Sequence, residues 1–277
     1  MICGVTVLYN PTEEVFKNIN SYLEGIDKLY LVDNSEKESN LLKEKLIKFS
    51  SKIEYIKMNG NEGIAKALNI AKNKAIDEKF NWLLTMDQDS KFEKNDFIKM
   101  LELVKKYFNE NIAIFSPFHK MSNSIFIDDE IIEKDTVMTS GNLLNLKIAK
   151  KIGDFEESFF IDEVDHDYCY RIKKNNYKII MLNKIILNHN LGNIKKYSFF
   201  SVTNHNYIRR YYITRNKLYM LKTYSFLKRR YLKEILKDTV KIILFEKGKI
   251  KKLKMTYLGI KDFKNGITGK INENYIK

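Results

Sequence analysis

Short apolar runs alternate with helical patterns through the first part of the chain, and each run stops at polar residues. Ile2 to Leu8 stops at Tyr9-Asn10, Leu29 to Val32 at Asp33-Asn34-Ser35, Ile53 to Ile56 at MNGNEG, and Trp82 to Met86 at Asp87-Gln88-Asp89. Between them lie segments with apolar residues at helical spacing: Val15, Ile19 and Tyr22; Leu41, Leu42, Leu46 and Ile47; Ile64 to about Ala75; Phe97 to Tyr107. Pro11 suits the first turn of the first helix. A further run, Ile112 to Phe115, follows. No hairpin signal joins neighbouring runs, so the pattern predicts an α/β chain with a parallel sheet covered on both faces. Ligands of such sheets bind outside the carboxyl ends of the strands, which gathers the polar stretches at one candidate edge.

The stretch TMDQDS sharpens that prediction. Asp87 and Asp89 stand one residue apart at the end of a buried run. Like charges so close repel, and an anion beside a core is costly unless something neutralises it. Either the pair sits in water as a turn, or it shares a cation.

Charge divides the chain. Residues 195–277 hold 22 Lys and Arg against 5 Asp and Glu, while residues 1–194 hold 27 against 30. A near-neutral body with a basic tail points to an anionic partner, either a membrane surface or nucleic acid. The expected organisation is a domain over 1–194 and a basic helical region over 195–277. No run reaches the ~20 apolar residues of a spanning helix, and the start MICGVTVLYNP has no signal-peptide pattern. These features predict a cytoplasmic protein. Cys3 and Cys169 lie far apart without metal-ligand spacing, and read as buried thiols in a reducing compartment.

The stretches VTVLYNP, LVDNS, NEGIAKALN, TMDQDS, TSGNLLN, GDFEESFFIDEVDHDYCYR and NHNLG follow one another in order over about two-thirds of the chain. Together they resemble the family 2 glycosyltransferases, inverting enzymes of the GT-A fold, and most of all the bacterial rhamnosyltransferase and galactofuranosyltransferase branch. The resemblance implies a Rossmann-like, mixed but mostly parallel sheet flanked by helices. It implies a nucleotide-sugar donor, dTDP- or UDP-linked, with dTDP-L-rhamnose first and UDP-hexoses or UDP-galactofuranose as alternatives. It also implies Mn²⁺ or Mg²⁺, hard ions suited to carboxylate oxygen. Asp89 then becomes the direct ligand, with Asp87 beside it on the ribose or a metal-bound water, and His189 completes the metal set. Val7 and Tyr9 frame the base, Asp33 accepts from its ring N–H, and Asn61 and Gly63 meet the nucleotide. Asp165 is the general base, and Asp167 orients the acceptor or its neighbours. Ser140 and Gly141 line the donor-sugar and acceptor side, though Gly141 also suits a close backbone approach.

In the tail, RRYYITRN places Arg209, Arg210 and Arg215 as grips for a donor or lipid-linked acceptor phosphate. The segment Leu232 to Phe245 predicts an amphipathic helix. It suits an anionic membrane surface on the inner face of the cell membrane, or else a core or homodimer contact. The glycan acceptor is expected to be a lipid-linked surface polysaccharide. A nucleotidyltransferase lacks its Gly-rich phosphate loop here. A nucleic-acid-binding protein, suggested by charge and interleaved aromatics alone, leaves the acidic site unexplained.

Overall fold

The computed structural model describes residues 1–37, 39–120, 129–189, 194–197, 200–203 and 206–276, with the side chains from 189 to 203 outside the description. The chain forms two compact units: Met1–Phe155 with Asp165–Asn190, and Glu156–Val164 with Leu191–Lys277. The division thus falls a few residues before the expected 194, and a loop of the expected first domain joins the second unit.

The first unit contains strands β1 (Ile2–Leu8), β2 (Lys28–Asp33), β3 (Ile53–Lys57), β4 (Trp82–Asp87), β5 (Ser90–Phe92), β6 (Ile112–Lys120), β7 (Ile131–Glu133), β8 (Asn142–Asn145) and β9 (Lys178–His189). Its helices are α1 (Glu14–Asn20), α2 (Asn40–Phe49), α3 (Ile64–Asp77), α4 (Asp96–Tyr107), α5 (Leu146–Ile152) and α6 (Val164–Lys174). The sheet order is β3-β2-β1-β4-β8-β6-β9-β5, with β7 also on β9. The block β3-β2-β1-β4 is parallel throughout, as the strand–helix alternation requires. Beyond β4 the sheet turns mixed, because β8 runs antiparallel to both β4 and β6.

Burial follows the periodicity with one departure. Leu42 and Leu46 of α2 face the core at i, i+4, whereas Leu41 and Ile47 are 68% and 45% exposed. Each lies about 100° round the helix from its buried neighbour, outside the inward stripe. Both cysteines are buried and free, and burial pushes each thiol up to about 12, which leaves them unreactive. Gly141 has φ +83°, and a Cβ there would stand 2.6 Å from Pro117 Cγ and 2.9 Å from Leu187 Cδ2. Its N–H donates to the carbonyl of Thr85 at 2.7 Å, so glycine is required where the chain enters β8.

The second unit holds the hairpin β10 (Ile194–Tyr197) and β11 (Phe200–Thr203), with helices α7 (Tyr207–Thr223), α8 (Lys228–Phe245) and α9 (Lys249–Lys264). Phe160, Tyr211, Tyr212, Met255, Leu258 and Ile271 make its core. Arg215 lies in that core, fully buried, with its guanidinium 5.1 Å and 5.2 Å from the rings of Tyr211 and Tyr212. Its N–H groups donate to Asn216 Oδ1 (3.0 Å), the Tyr211 hydroxyl (3.2 Å), and the carbonyls of Gly269 (2.8 Å), Ser158 (3.3 Å) and Phe159 (3.2 Å). An arginine has five such donors, and here all are used within the unit. This corrects the expected phosphate grip: Arg215 has nothing left to offer a substrate. Arg210 is corrected likewise. It is 5% exposed and ion-paired with Glu246, which Lys252 also meets at 2.7 Å.

Arg215→Lys keeps the charge and loses the fork. We expect it to lower the unfolding free energy by about 3 kcal/mol in urea denaturation, since buried carbonyls lose their donors. Unchanged stability with lost activity would instead return Arg215 to the substrate.

Candidate active site

The site begins with register. Val7 of β1 lies opposite Val32 on β2 and Asp87 on β4, and Leu8 lies opposite Asp33. Asp33 and Asp87 therefore end the two strands flanking β1, about 10 Å apart at two strand spacings. Val7 is half-buried between them, and Tyr9, just beyond, is 45% exposed.

Side chains tie these strand ends together. Gln88, between the two acids, grips the backbone of Tyr9 in both directions: Tyr9 N–H donates to Gln88 Oε1 at 2.8 Å, and Gln88 Nε2 to the Tyr9 carbonyl at 3.0 Å. Asn18 Nδ2 donates to the Gln88 carbonyl at 2.8 Å. The loop is thus held at its middle residue, with Asp87 half-buried and Asp89 exposed on either side. On the β2 side, Asn10 N–H donates to Ser35 Oγ at 2.7 Å. Ser140 adds a further tie. It is fully buried, and its hydroxyl accepts the Asp87 N–H at 3.0 Å, so it supports the acid loop from beneath.

Asp33 is 2% exposed and its carboxylate is well supplied with donors. Tyr55 Oη donates at 2.5 Å, Ser35 N–H at 2.9 Å, and Lys57 Nζ lies at 3.5 Å. Burial alone pushes this carboxyl up, but the bonds from Ser35 and Tyr55 and the Lys57 charge outweigh it and hold the carboxyl below the usual aspartate value. Next to it, Asn34 carries the following loop. Its Nδ2 donates to Asn61 Oδ1 at 3.1 Å and its Oδ1 accepts the Glu62 N–H at 2.8 Å, while Gly63 N–H donates to Asn61 Oδ1 at 3.2 Å. Gly63 turns the chain into α3 at φ +93°. Asn34 and Gln88 were not singled out in the sequence, because one amide beside an acid carries no pattern of its own.

Asp165 stands in the first turn of α6, half-buried, with Oδ1 accepting the His166 N–H at 2.9 Å. With Thr85, Thr139 and Tyr168 it lines a cavity of about 10 Å³, room for one water. Thr85 precedes Asp87 by two residues on β4, so this cavity lies beside the strand that ends in Asp87. Asp167 is 6% exposed and bonded to Arg171 Nε at 2.8 Å, while Arg171 also donates to the carbonyls of Ile152 (3.2 Å) and Asp154 (2.7 Å). This ties α6 to the loop after α5, so Asp167 orients a neighbouring side chain, one of its two expected roles. The backbone of His189 pairs with Ser90 at the end of β9, and its side chain lies outside the described residues.

The segment leading into α6 is strained. Phe160, Asp162 and Glu163 have φ +66°, +63° and +65°. Left-handed backbone costs a non-glycine residue roughly 1–2 kcal/mol. The second unit holds it: Asn216 Nδ2 reaches the carbonyls of Phe159 (2.9 Å), Ile161 (2.7 Å) and Asp162 (3.1 Å), and Tyr231 Oη donates to Glu163 at 2.6 Å. Arg209, 46% exposed at its side chain, forks onto Asp162 with bonds of 2.9, 3.1 and 3.2 Å. Burial raises the Asp162 carboxyl even against that charge.

Among the described residues no group of three or more His, Cys, Asp or Glu comes together to hold a metal. Two carboxylates of hard oxygen, Asp87 and Asp89, fit an ion that keeps waters and is completed by substrate phosphates, as Mg²⁺ sites commonly are.

A mixed α/β sheet of this order, with an acidic carboxyl edge, is that of a GT-A glycosyltransferase. Residues 5–169 match the model described as Glycosyl transferase family 2, and the chain belongs to that family. It is 28% identical over 300 aligned positions to the dTDP-rhamnosyl transferase RfbF of Shigella flexneri, covering 97% of each chain. It is 25% identical to the low-salt glycan biosynthesis hexosyltransferase Agl10 of Haloferax volcanii, over 64% of this chain and 63% of that one. Among solved structures, GalNAc-T7 with UDP, GalNAc and Mn²⁺ superposes with a TM-score of 0.57 at 13% identity, over 68% of this chain and 43% of the other, a likeness of fold. Family membership makes the protein an enzyme, a glycosyltransferase.

Tyr55→Phe removes a donor to the Asp33 carboxylate. A depressed folded-state value contributes stability above the unfolded value and loses it as pH falls through the folded one. The variant should therefore be less stable by about 2 kcal/mol at neutral pH, and should begin its acid-induced loss of Tm at higher pH than the parent. Superimposable acid-melting curves would show that Tyr55 does not sustain the Asp33 charge.

Proposed function

We propose that this glycosyltransferase moves L-rhamnose from dTDP-L-rhamnose to a hydroxyl of a growing, lipid-linked surface polysaccharide, with inversion at the anomeric carbon. One observation carries the reading: the similarity to a dTDP-rhamnosyl transferase spans 97% of both chains, tail included, where the family match stops at residue 169. A UDP-hexose or UDP-galactofuranose donor is the second reading, favoured by the hexosyltransferase relative.

In this mechanism Val7 and Tyr9 frame the pyrimidine. Asp33 accepts from its ring N–H with lone pairs beyond those taken by Tyr55 and Ser35. Asn61 and Gly63 meet the nucleotide. Asp89 would hold Mn²⁺ or Mg²⁺, with Asp87 beside it on the ion or the ribose and His189 as the remaining candidate ligand. When bound, the ion neutralises the diphosphate and eases its departure. Asp165 takes the acceptor proton as the acceptor oxygen bonds to the anomeric carbon. The bond from that carbon to the diphosphate oxygen breaks, and its electron pair leaves with the diphosphate. One base and one displacement give inversion. Ser140 and Gly141 shape the acid loop that this arrangement uses. Asp167 holds α6, and Arg209 is the arginine whose exposure suits an acceptor phosphate.

Two variants separate the roles. Asp89→Ala should fold and lose Mn²⁺-dependent dTDP binding in calorimetry. Asp165→Asn should keep that binding and lose turnover by ~10²–10⁴-fold, since an amide cannot take the proton. Near-full turnover in Asp165→Asn would move the base elsewhere. A larger thermal shift with a UDP-sugar than with dTDP-rhamnose would favour the second donor.

A further inference from the structure

Helix α8 is oriented in an unusual way for a surface helix. It turns Tyr231 and Ile242 inward, each 1% exposed, and directs both its acids to cations of its own unit. Glu234 lies 2.9 Å from both Lys217 and Arg230, and Asp238 lies 3.6 Å from Lys217 and 3.8 Å from Arg210. The outward arc carries Leu232, Leu236, Val240, Ile243 and Leu244, which are 47%, 66%, 44%, 48% and 58% exposed. At 100° per residue they fall within about 120° of the helix surface. Arg229, Lys233 and Lys237 recur every fourth residue along the same arc, all exposed. No acid stands among them. A surface helix ordinarily buries its apolar stripe and shows its charges; α8 shows aliphatic side chains and cations and withdraws its anions.

Helix α9 repeats the pattern. Ile250 and Tyr257 are 85% and 64% exposed, and Lys254 and Lys261 share their face at helical spacing. Its Asp262 is 1% exposed and accepts from the Tyr211 hydroxyl at 2.7 Å.

A contiguous exposed apolar strip marks a contact with something. Its charge selects among occupants. A second copy on a two-fold axis would set the same cations against one another, with no acid on the strip to answer them. A bilayer with anionic headgroups supplies both an apolar phase and the counter-charge. We propose that α8 lies in the interface of an anionic membrane, with its five aliphatic side chains at the acyl boundary and Arg229, Lys233 and Lys237 at lipid phosphates. It lies on the bilayer and does not cross it, since no helix among the described residues is long and apolar enough to span. The inference is independent of which sugar is moved.

The test is co-sedimentation of the 277-residue chain with vesicles of phosphatidylglycerol and phosphatidylcholine, or of phosphatidylcholine alone. Binding should require the anionic lipid and weaken as salt rises. Leu236→Glu, and separately the triple variant Arg229→Glu, Lys233→Glu, Lys237→Glu, should each weaken it by about tenfold or more. Both alter exposed positions, so circular dichroism and dTDP binding should match the parent. The proposal falls if the parent ignores anionic vesicles at low salt, or if both variants bind them as the parent does. It falls equally if ultracentrifugation shows a dimer that Leu236→Glu dissolves while vesicles go unbound, because the strip then belongs to a second copy.

Discussion

The candidate site depends on the parallel pairing of β1 with β2 on one side and β4 on the other. That pairing fixes which residues stand at the carboxyl edge. With Asp87 opposite Val7 and Asp33 opposite Leu8, the two acids end their strands within one residue of each other. A slip of one residue in either pair would turn the acid toward the opposite face of the sheet. The double bond between Gln88 and the Tyr9 backbone, and that from Asn10 to Ser35, bind the three strand ends where ladder hydrogen bonding runs out. The loops at this edge are thus pinned by side-chain amides and hydroxyls to the sheet.

Charge is handled differently at each acid. Asp33 is stabilised from within, by a phenol, a backbone N–H and a lysine, so its carboxylate persists although buried. Asp87 is half-buried and Asp89 exposed just past the end of β4, so their charge meets solvent. Asp165 occupies a third setting, a helix start beside a cavity just large enough for a water. The residues before it have a backbone that only surrounding structure can impose, and the second unit imposes it through Asn216, Arg215 and Tyr231. The sequence motif RRYYITRN is therefore chiefly an internal framework, which explains why arginines and tyrosines sit together there.

Much of this was legible in the sequence, and what escaped has a physical reason. The strand–helix alternation located β1 to β4 and their helices, since apolar periodicity is a direct record of burial. The strands β5, β7 and β8 escaped because they are too short to show a period; NLLN of β8 is buried at all four positions and shows no alternation. The positions of Asp33, Asp87, Asp89 and Asp165 at strand and helix ends were legible because acids there are visible as interruptions of apolar runs. Arg210 and Arg215 were misread because an arginine satisfied by buried carbonyls looks, in one dimension, like an arginine awaiting phosphate. The bond that Ser140 makes was not legible for a similar reason: a hydroxyl that accepts one N–H from β4 leaves no trace in spacing. The amphipathic segment of α8 was found, but only its placement shows that the aliphatic face is the outer one.

The central claim is a single displacement served by one base at the start of α6, and the anomeric configuration of the product tests it most directly. Proton NMR of a transfer reaction, followed from dTDP-rhamnose into the first-formed glycoside, reads that configuration before any later equilibration. The account predicts an anomer opposite to that of the donor. A product retaining the donor configuration would contradict it, because retention requires a second displacement or a different trajectory, and Asp165 as sole base would no longer explain the chemistry.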